Sequence, residues 1–384
     1  MLSTEQNPLF TIESEYGQSI WMDNLSRDLL ESGELAKLIT TRGVLGITSN
    51  PAIFEKAIVG NAIYDTEIKA GIQANKSLNE IYESLIFSDI RRACDILLPV
   101  YKQTNGIDGY VSIEVPPTIA TDTKSTIAEA RRYHAEIARP NVMIKIPGTP
   151  EGLPAVEQMI SEGISINVTL LFAVESYVEA AWAYIRGLET RVAKGEDISN
   201  ISSVASFFLS RIDISIDAKL DLLIKNLTDP AKIEKISALK GKIAIANAKI
   251  AYQEYKKIIA TDRWQQLEAK GARVQRLLWA STSTKDPSYS DVMYVDGLVG
   301  DNTVNTLPPN TLEACADHCD PANRIEAGVD QAYGLVASLQ DADINIDLDA
   351  VMDELLIDGL DKFVKPFDSL MKSLASKAGN LTSI

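Results

Sequence analysis

The sequence predicts an α/β fold: a (β/α)8 TIM barrel with additional C-terminal helices. Three observations predict it. Eight short apolar runs alternate with stretches of helical periodicity, which argues for a parallel sheet. Eight such units in one chain suggest a closed barrel. No Gly-x-Gly-x-x-Gly and no P-loop follows any run, which weakens the alternative of a doubly wound sheet. The expected boundaries are residues 1–307 for the barrel and 308–384 for a helical extension packed on the same domain.

The elements follow in order. Gln18–Asp23 is a short apolar strand ending in an acid, and Asn24–Ile39 has leucines near helical spacing. Gly43–Thr48 is the second strand, closed by the turn Ser49-Asn50-Pro51. Residues 61–105 read as helices, and Tyr110–Val115 as the third strand before Pro116-Pro117. A helix over about 124–137 leads to Asn141–Thr149. There Val142, Met143, Ile144 and Ile146 form a near-continuous apolar run, suited to a parallel strand covered on both faces. Pro147-Gly148 stops it, and Thr149-Pro150 reads as a helix cap followed by Pro at the first helical position. The next strands are read at Ile164–Phe172, Val204–Arg211 and Leu277–Thr282, with Met293–Val299 as the eighth. Residues 216–270 are helical with a break near Asp229-Pro230, and Leu355, Leu356, Leu360, Phe363, Phe367, Leu370 and Leu374 stripe a last helix over the barrel.

Composition excludes several classes. The 384 residues are 46% hydrophobic and 23% charged, ordinary for a globular protein. A net charge of −16 argues against nucleic acid or an anionic membrane as partner. A phosphate substrate would therefore need a local cationic pocket. Three cysteines are too few for a disulfide framework, which with the absence of a signal peptide points to the cytoplasm. Cys315, His318 and Cys319 lack a second ligand pair, so no metal is expected there. The run Asp341-x-Asp343-x-Asn345-x-Asp347 resembles a calcium loop. Ile346 stands where the turn needs glycine and Met352 where the bidentate Glu belongs, so it reads as a solvated edge leading into a helix.

Candidate chemistry begins with Lys145, set in the apolar fourth strand. A buried ammonium is costly to keep charged, and the neutral amine is the form that attacks a carbonyl to build a Schiff base. A structural salt bridge to a neighbouring carboxylate is the competing reading. Functional residues of a barrel sit at the C-terminal ends of its strands. Asp23, Asn50, Glu114, Lys145, Asn167, Thr169, Ser206, Arg211 and Ser281 all fall there or just inside. A hydrogen-bonded plug would need less charge than this set carries. Glu114 and Thr169, on the flanking strands, suit proton transfer through a held water, Asp23 suits a substrate hydroxyl, and Arg211 offers bidentate phosphate contacts.

These residues carry a resemblance. The stretches Gly46–Lys56, Val142–Thr149, Asn167–Phe172 and Val204–Arg211 resemble the transaldolase family, and Leu278–Lys285 with the longer chain resembles its bacterial subfamily with an extended C-terminus. The likeness runs from about residue 16 to 374. It implies a transferase without cofactor that moves dihydroxyacetone from sedoheptulose 7-phosphate to glyceraldehyde 3-phosphate, giving erythrose 4-phosphate and fructose 6-phosphate. By motif, Lys145 is similar to the Schiff-base lysine, Glu114 and Thr169 to the pair holding the catalytic water, and Asp23 to the acid/base on the donor C4 hydroxyl. Asn50 and Asn167 match the amides that orient dihydroxyacetone, Ser206 a substrate-contacting serine and Arg211 a phosphate-binding arginine, while Ser281 falls near another phosphate contact. The chain departs from the better-known pattern after Ser281: it reads Thr282-Ser283-Thr284-Lys285 where a second arginine is expected, so Lys285 is the substitute charge. Phe208 stands where related aldolases that release free dihydroxyacetone hold tyrosine, which fits transfer; core packing fits equally. A Schiff-base sugar-phosphate aldolase (lyase) and a non-catalytic sugar-phosphate-binding barrel remain as alternatives, with a monomer or homodimer expected.

Overall fold

In the computed structural model, which describes residues 7–382, eight parallel strands close into one barrel in chain order. They are β1 (Gln18–Asp23), β2 (Gly46–Thr48), β3 (Val111–Glu114), β4 (Val142–Pro147), β5 (Ile166–Leu171), β6 (Ser203–Phe208), β7 (Arg276–Ala280) and β8 (Thr303–Leu307). β1 pairs with both β2 and β8, so no edge is left open. Every residue of β4, β5 and β6 is buried, as parallel strands under helices require.

The eighth strand corrects the sequence reading. Met293–Asp296 is a short helix, and β8 follows at Thr303–Leu307. A short apolar run fits a buried helix turn as well as a strand, and β8 itself is rich in threonine with one asparagine. The helix expected over Asn24–Ile39 is two, Arg27–Glu31 and Glu34–Arg42. Gly33 at φ 76 turns the chain between them, a conformation that costs other residues about 1–2 kcal/mol. The segment read as two helices around Asp229-Pro230 holds four, Ser210–Ile224, Pro230–Ser237, Ile243–Ile259 and Asp262–Glu268.

The N-terminal end of the barrel is plugged. Asp108 accepts from Trp21 Nε1 at 2.8 Å, from Ser19 Oγ at 2.7 Å and from Arg276 Nη2 at 2.9 Å. This buried network leaves the opposite end to carry polar chemistry.

Among the described residues, those beyond β8 form three helices. Pro309–His318 packs on Pro8–Tyr16 and on β1 and β8. Val329–Ser338 lies on Ile243–Ile259. The C-terminal helix, Leu348–Thr382, runs over Pro51–Ile58, Leu78–Gln103, Ser210–Ile224 and the end of β5. Leu355, Phe363, Leu370 and Leu374 of its apolar stripe are buried. The acidic run before it is already satisfied: Asp341 pairs with Lys235 and Asp343 with Lys232, both at 2.7 Å, while Asp347 accepts from the backbone of Asp349 and Ala350.

Candidate active site

The strand register brings the predicted residues together. Glu114 of β3 lies beside Lys145 of β4, Lys145 beside Asn167 of β5, and Pro147 beside Thr169. Register partners in a parallel sheet share a face, and alternate residues repeat it. Glu114, Lys145, Asn167 and Thr169 therefore project together into the barrel. Lys145 is 4% exposed. Its Nζ donates to the Ser49 carbonyl at 3.2 Å and lies 4.0 Å from Glu114 Oε2. Ser49 is held in turn, its hydroxyl donating to the Ser112 carbonyl at 2.7 Å.

Burial pushes the Glu114 carboxyl up to about 7; the cations Lys145 and Arg211 oppose the rise and the charge of Asp23 adds to it. Neither Glu114 oxygen, nor Thr169 Oγ1, has a hydrogen-bond partner among the described residues, although all three atoms are buried. Such groups are costly to leave unmade, so they favour a bound polar species between them. Asp23, at the end of β1, accepts from Thr48 Oγ1 at 2.7 Å. Burial raises its carboxyl above the ordinary value, opposed by Lys145, the Thr48 hydrogen bond, Arg211 and Lys56. Two acids of raised affinity for protons thus flank one amine.

Two amides sit differently. Asn167 is fully buried; its Nδ2 donates to Ser112 Oγ at 3.1 Å and its Oδ1 accepts from Ser206 Oγ at 2.7 Å. Ser206 therefore holds Asn167 as well as facing the interior. Asn50 caps the helix Pro51–Ile58, its Oδ1 accepting from Ile53 N at 3.0 Å. That use of the oxygen fixes the side chain at the end of β2.

The outer part of the site is cationic. Arg211, in the first turn of the helix after β6, places its guanidinium over the Phe208 ring, 5.1 Å from the centroid. Phe208 packs in turn on Phe172 at 5.3 Å. Its place is thus both core and support for Arg211. Burial lowers the proton affinity of the guanidinium, opposed by Asp358, Asp23 and Glu114, and Nη1 has no hydrogen-bond partner among the described residues. Ser281, at φ 57, shares a 2.8 Å hydrogen bond with Ser210, which ties the end of β7 to the start of the Arg211 helix. Lys285 is exposed and donates to Ser283 Oγ at 2.6 Å. Although the residue is exposed as a whole, partial desolvation of its amine lowers its proton affinity, and the charges of Lys56 and Arg211 lower it further. Lys56 is the residue that sequence reasoning left without a role. It lies within the Gly46–Lys56 motif, in the last turn of the helix capped by Asn50, and its charge acts on both Asp23 and Lys285. His134 and His318 take no part: the first is half-buried on a surface helix, and the second is exposed between Asp291 and Asp317.

Comparison with known proteins gives the family. The family described as Transaldolase/Fructose-6-phosphate aldolase matches residues 20–374. A protein of Nostoc sp. named Transaldolase 2 is 68% identical over 371 residues, covering 96% of this chain and 97% of its own. One of Trichodesmium erythraeum named Transaldolase is 66% identical over 98% of this chain and 99% of its own. One of Neisseria gonorrhoeae, also named Transaldolase, is 44% identical over 93% and 97%. With a lysine buried among two acids inside a closed eight-stranded barrel, and a match that spans nearly every residue, this chain belongs to the transaldolase/fructose-6-phosphate aldolase family.

Proposed function

We propose that the protein is a transaldolase, a transferase of the non-oxidative pentose phosphate pathway. It moves a dihydroxyacetone unit from sedoheptulose 7-phosphate to glyceraldehyde 3-phosphate. The observation that carries the residue roles is the placement of Lys145 Nζ 4.0 Å from Glu114, with Thr169 on the next strand. Lys145 attacks the donor carbonyl at C2, and the carbinolamine loses water to give an iminium. Glu114, near 7, gives and takes protons through a water shared with Thr169. Asp23 removes the proton of the C4 hydroxyl. The C3–C4 bond then breaks, C4 leaves as the aldehyde of erythrose 4-phosphate, and the electron pair enters the iminium as an enamine. Its C3 attacks the aldehyde of glyceraldehyde 3-phosphate, Asp23 returns the proton to the new alkoxide, and hydrolysis frees fructose 6-phosphate and Lys145. Asn50, Asn167 and Ser206 orient the three-carbon unit. Arg211, Ser281 and Lys285, with Lys56 nearby, receive the phosphate, and Phe208 holds Arg211 above it.

The test is borohydride trapping with fructose 6-phosphate followed by peptide mass spectrometry. A reduced three-carbon adduct on Lys145 is expected. Adding erythrose 4-phosphate before reduction then yields sedoheptulose 7-phosphate; release of free dihydroxyacetone instead would make the enzyme a lyase. An adduct on another lysine, or none, would overturn the role of Lys145 and favour a binding protein. We place the enzyme in the cytoplasm as a monomer or homodimer, its three buried cysteines being free thiols. Residues 1–307 then form the catalytic barrel and 308–384 a helical extension of the same domain.

A further inference from the structure

The C-terminal helix contains a glycine that its own backbone does not require. Gly359 is buried within Leu348–Thr382 and has no left-handed φ. A glycine inside a helix weakens it relative to alanine, so its presence calls for a packing reason. The surroundings supply one. A Cβ added at Gly359 would lie 3.0 Å from Leu170 Cδ2, 3.4 Å from Arg211 Nη1 and 3.6 Å from Phe172 Cε2. Gly379 of the same helix has nothing within 4 Å of such an atom. At Gly359 the helix thus approaches Leu170, Arg211 and Phe172 through a residue without a side chain.

What it touches is specific. Leu170 sits at φ 60 inside a register shift of β5 between Val168 and Leu171, next to Thr169. A bulge of this kind re-aims the side chains beside it, and a left-handed leucine persists only where packing holds it. Arg211 meets the Phe208 ring on one side and the helix at Gly359 on another, with Phe172 reaching the same glycine. Its Nη1 is buried and has no hydrogen-bond partner among the described residues. Asp358, the neighbour of Gly359, acts on Arg211 through its charge while its carboxylate pairs with Lys362.

We propose that Gly359 is a positioning residue, and that the C-terminal helix is a wall of the phosphate end of the pocket, set so close to Leu170 that a side chain at 359 would press on the Leu170 methyl beside Arg211. The inference rests on Arg211 being a phosphate contact. It gives the C-terminal helix a part in recognising the phosphate rather than only in covering the barrel.

The test compares erythrose 4-phosphate with erythrose as acceptor, at saturating fructose 6-phosphate, in the full-length parent, Gly359→Ala, Asp358→Asn and Arg211→Gln. Gly359→Ala should raise KM for erythrose 4-phosphate by about tenfold, the size of one weakened charge-assisted hydrogen bond. Its KM for erythrose and its kcat with either acceptor should stay near the parent's. Asp358→Asn, which removes an opposing charge and adds no atoms to the contact, should lower KM for the phosphorylated acceptor by about twofold at low salt. Should Gly359→Ala fail to fold, the Asp358→Asn split decides alone. If Gly359→Ala shifts both acceptors alike or neither, or Asp358→Asn shows no split, the helix has no part in phosphate recognition. If Arg211→Gln leaves KM for erythrose 4-phosphate unchanged, it is the phosphate role of Arg211 that fails.

Discussion

Burial holds the Glu114 carboxyl near 7, where one residue can take a proton and return it in the same turnover. The profile of kcat/KM should therefore bend near pH 7, and Glu114→Gln should remove that limb from the residual activity. Stability follows the same shift. A carboxyl that binds its proton more tightly in the fold than its ordinary 4.5 favours the native state in full below about pH 4.5. That contribution is lost as the pH rises through about 7. Thermal melting of the parent should thus show a component declining across this window. A profile flat from pH 5 to 9 would mean that Glu114 carries no titrating step. Lys145 was legible as a residue because an amine in an apolar strand is a conflict between pattern and chemistry, and such conflicts mark function. Lys56 was not: an exposed lysine at a helix end reads as a solvated charge until the neighbouring strands are closed around it.

At the scale of elements, Asn50 joins a helix to the site. Its oxygen caps Pro51–Ile58, and in the proposed mechanism its amide meets the substrate. The two roles separate by substitution. Asn50→Ser keeps a cap of similar quality and loses the amide, so stability should stay close to the parent's while turnover falls. Asn50→Ala should lose both, with about 1 kcal/mol of stability. Equal melting temperatures for the two variants would show that the cap contributes nothing. The β5 bulge was beyond the sequence, because nothing in Asn167–Phe172 marks Leu170 for a left-handed backbone. Strain at a non-glycine residue is set by what packs around it.

Across the whole molecule, charge is segregated by the barrel's two ends. Arg276 and Asp108 close one end in a buried pair, 9% and 6% exposed at the side chain. Arg211, Lys285 and Lys56 gather at the other, within a chain of net charge −16. Focusing positive charge in one place lets an acidic protein attract a phosphate. The plug should be separable from the chemistry. Arg276→Met leaves Asp108 buried without its charge partner, which should cost about 3–5 kcal/mol in chemical denaturation. The fraction that stays folded should still form the borohydride adduct at Lys145. Loss of the adduct in folded Arg276→Met would tie the two ends together.

The sequence by itself determined the barrel, the strands that carry Lys145, Glu114 and Thr169, and the family. Apolar period, turn residues and misplaced charges are local signals, and each is written within about ten residues. It did not place the eighth strand: Thr303–Leu307 is mostly polar and Met293–Val299 reads as a strand, and only barrel closure against Gln18–Asp23 and Arg276–Ala280 decides between them. Nor did it show that Gly359 meets Arg211, 148 positions earlier in the chain, or that Phe208 carries the guanidinium. Those contacts depend on where a helix lies on a finished barrel. Packing distance is a property of the assembled fold, and no single stretch of the chain encodes it.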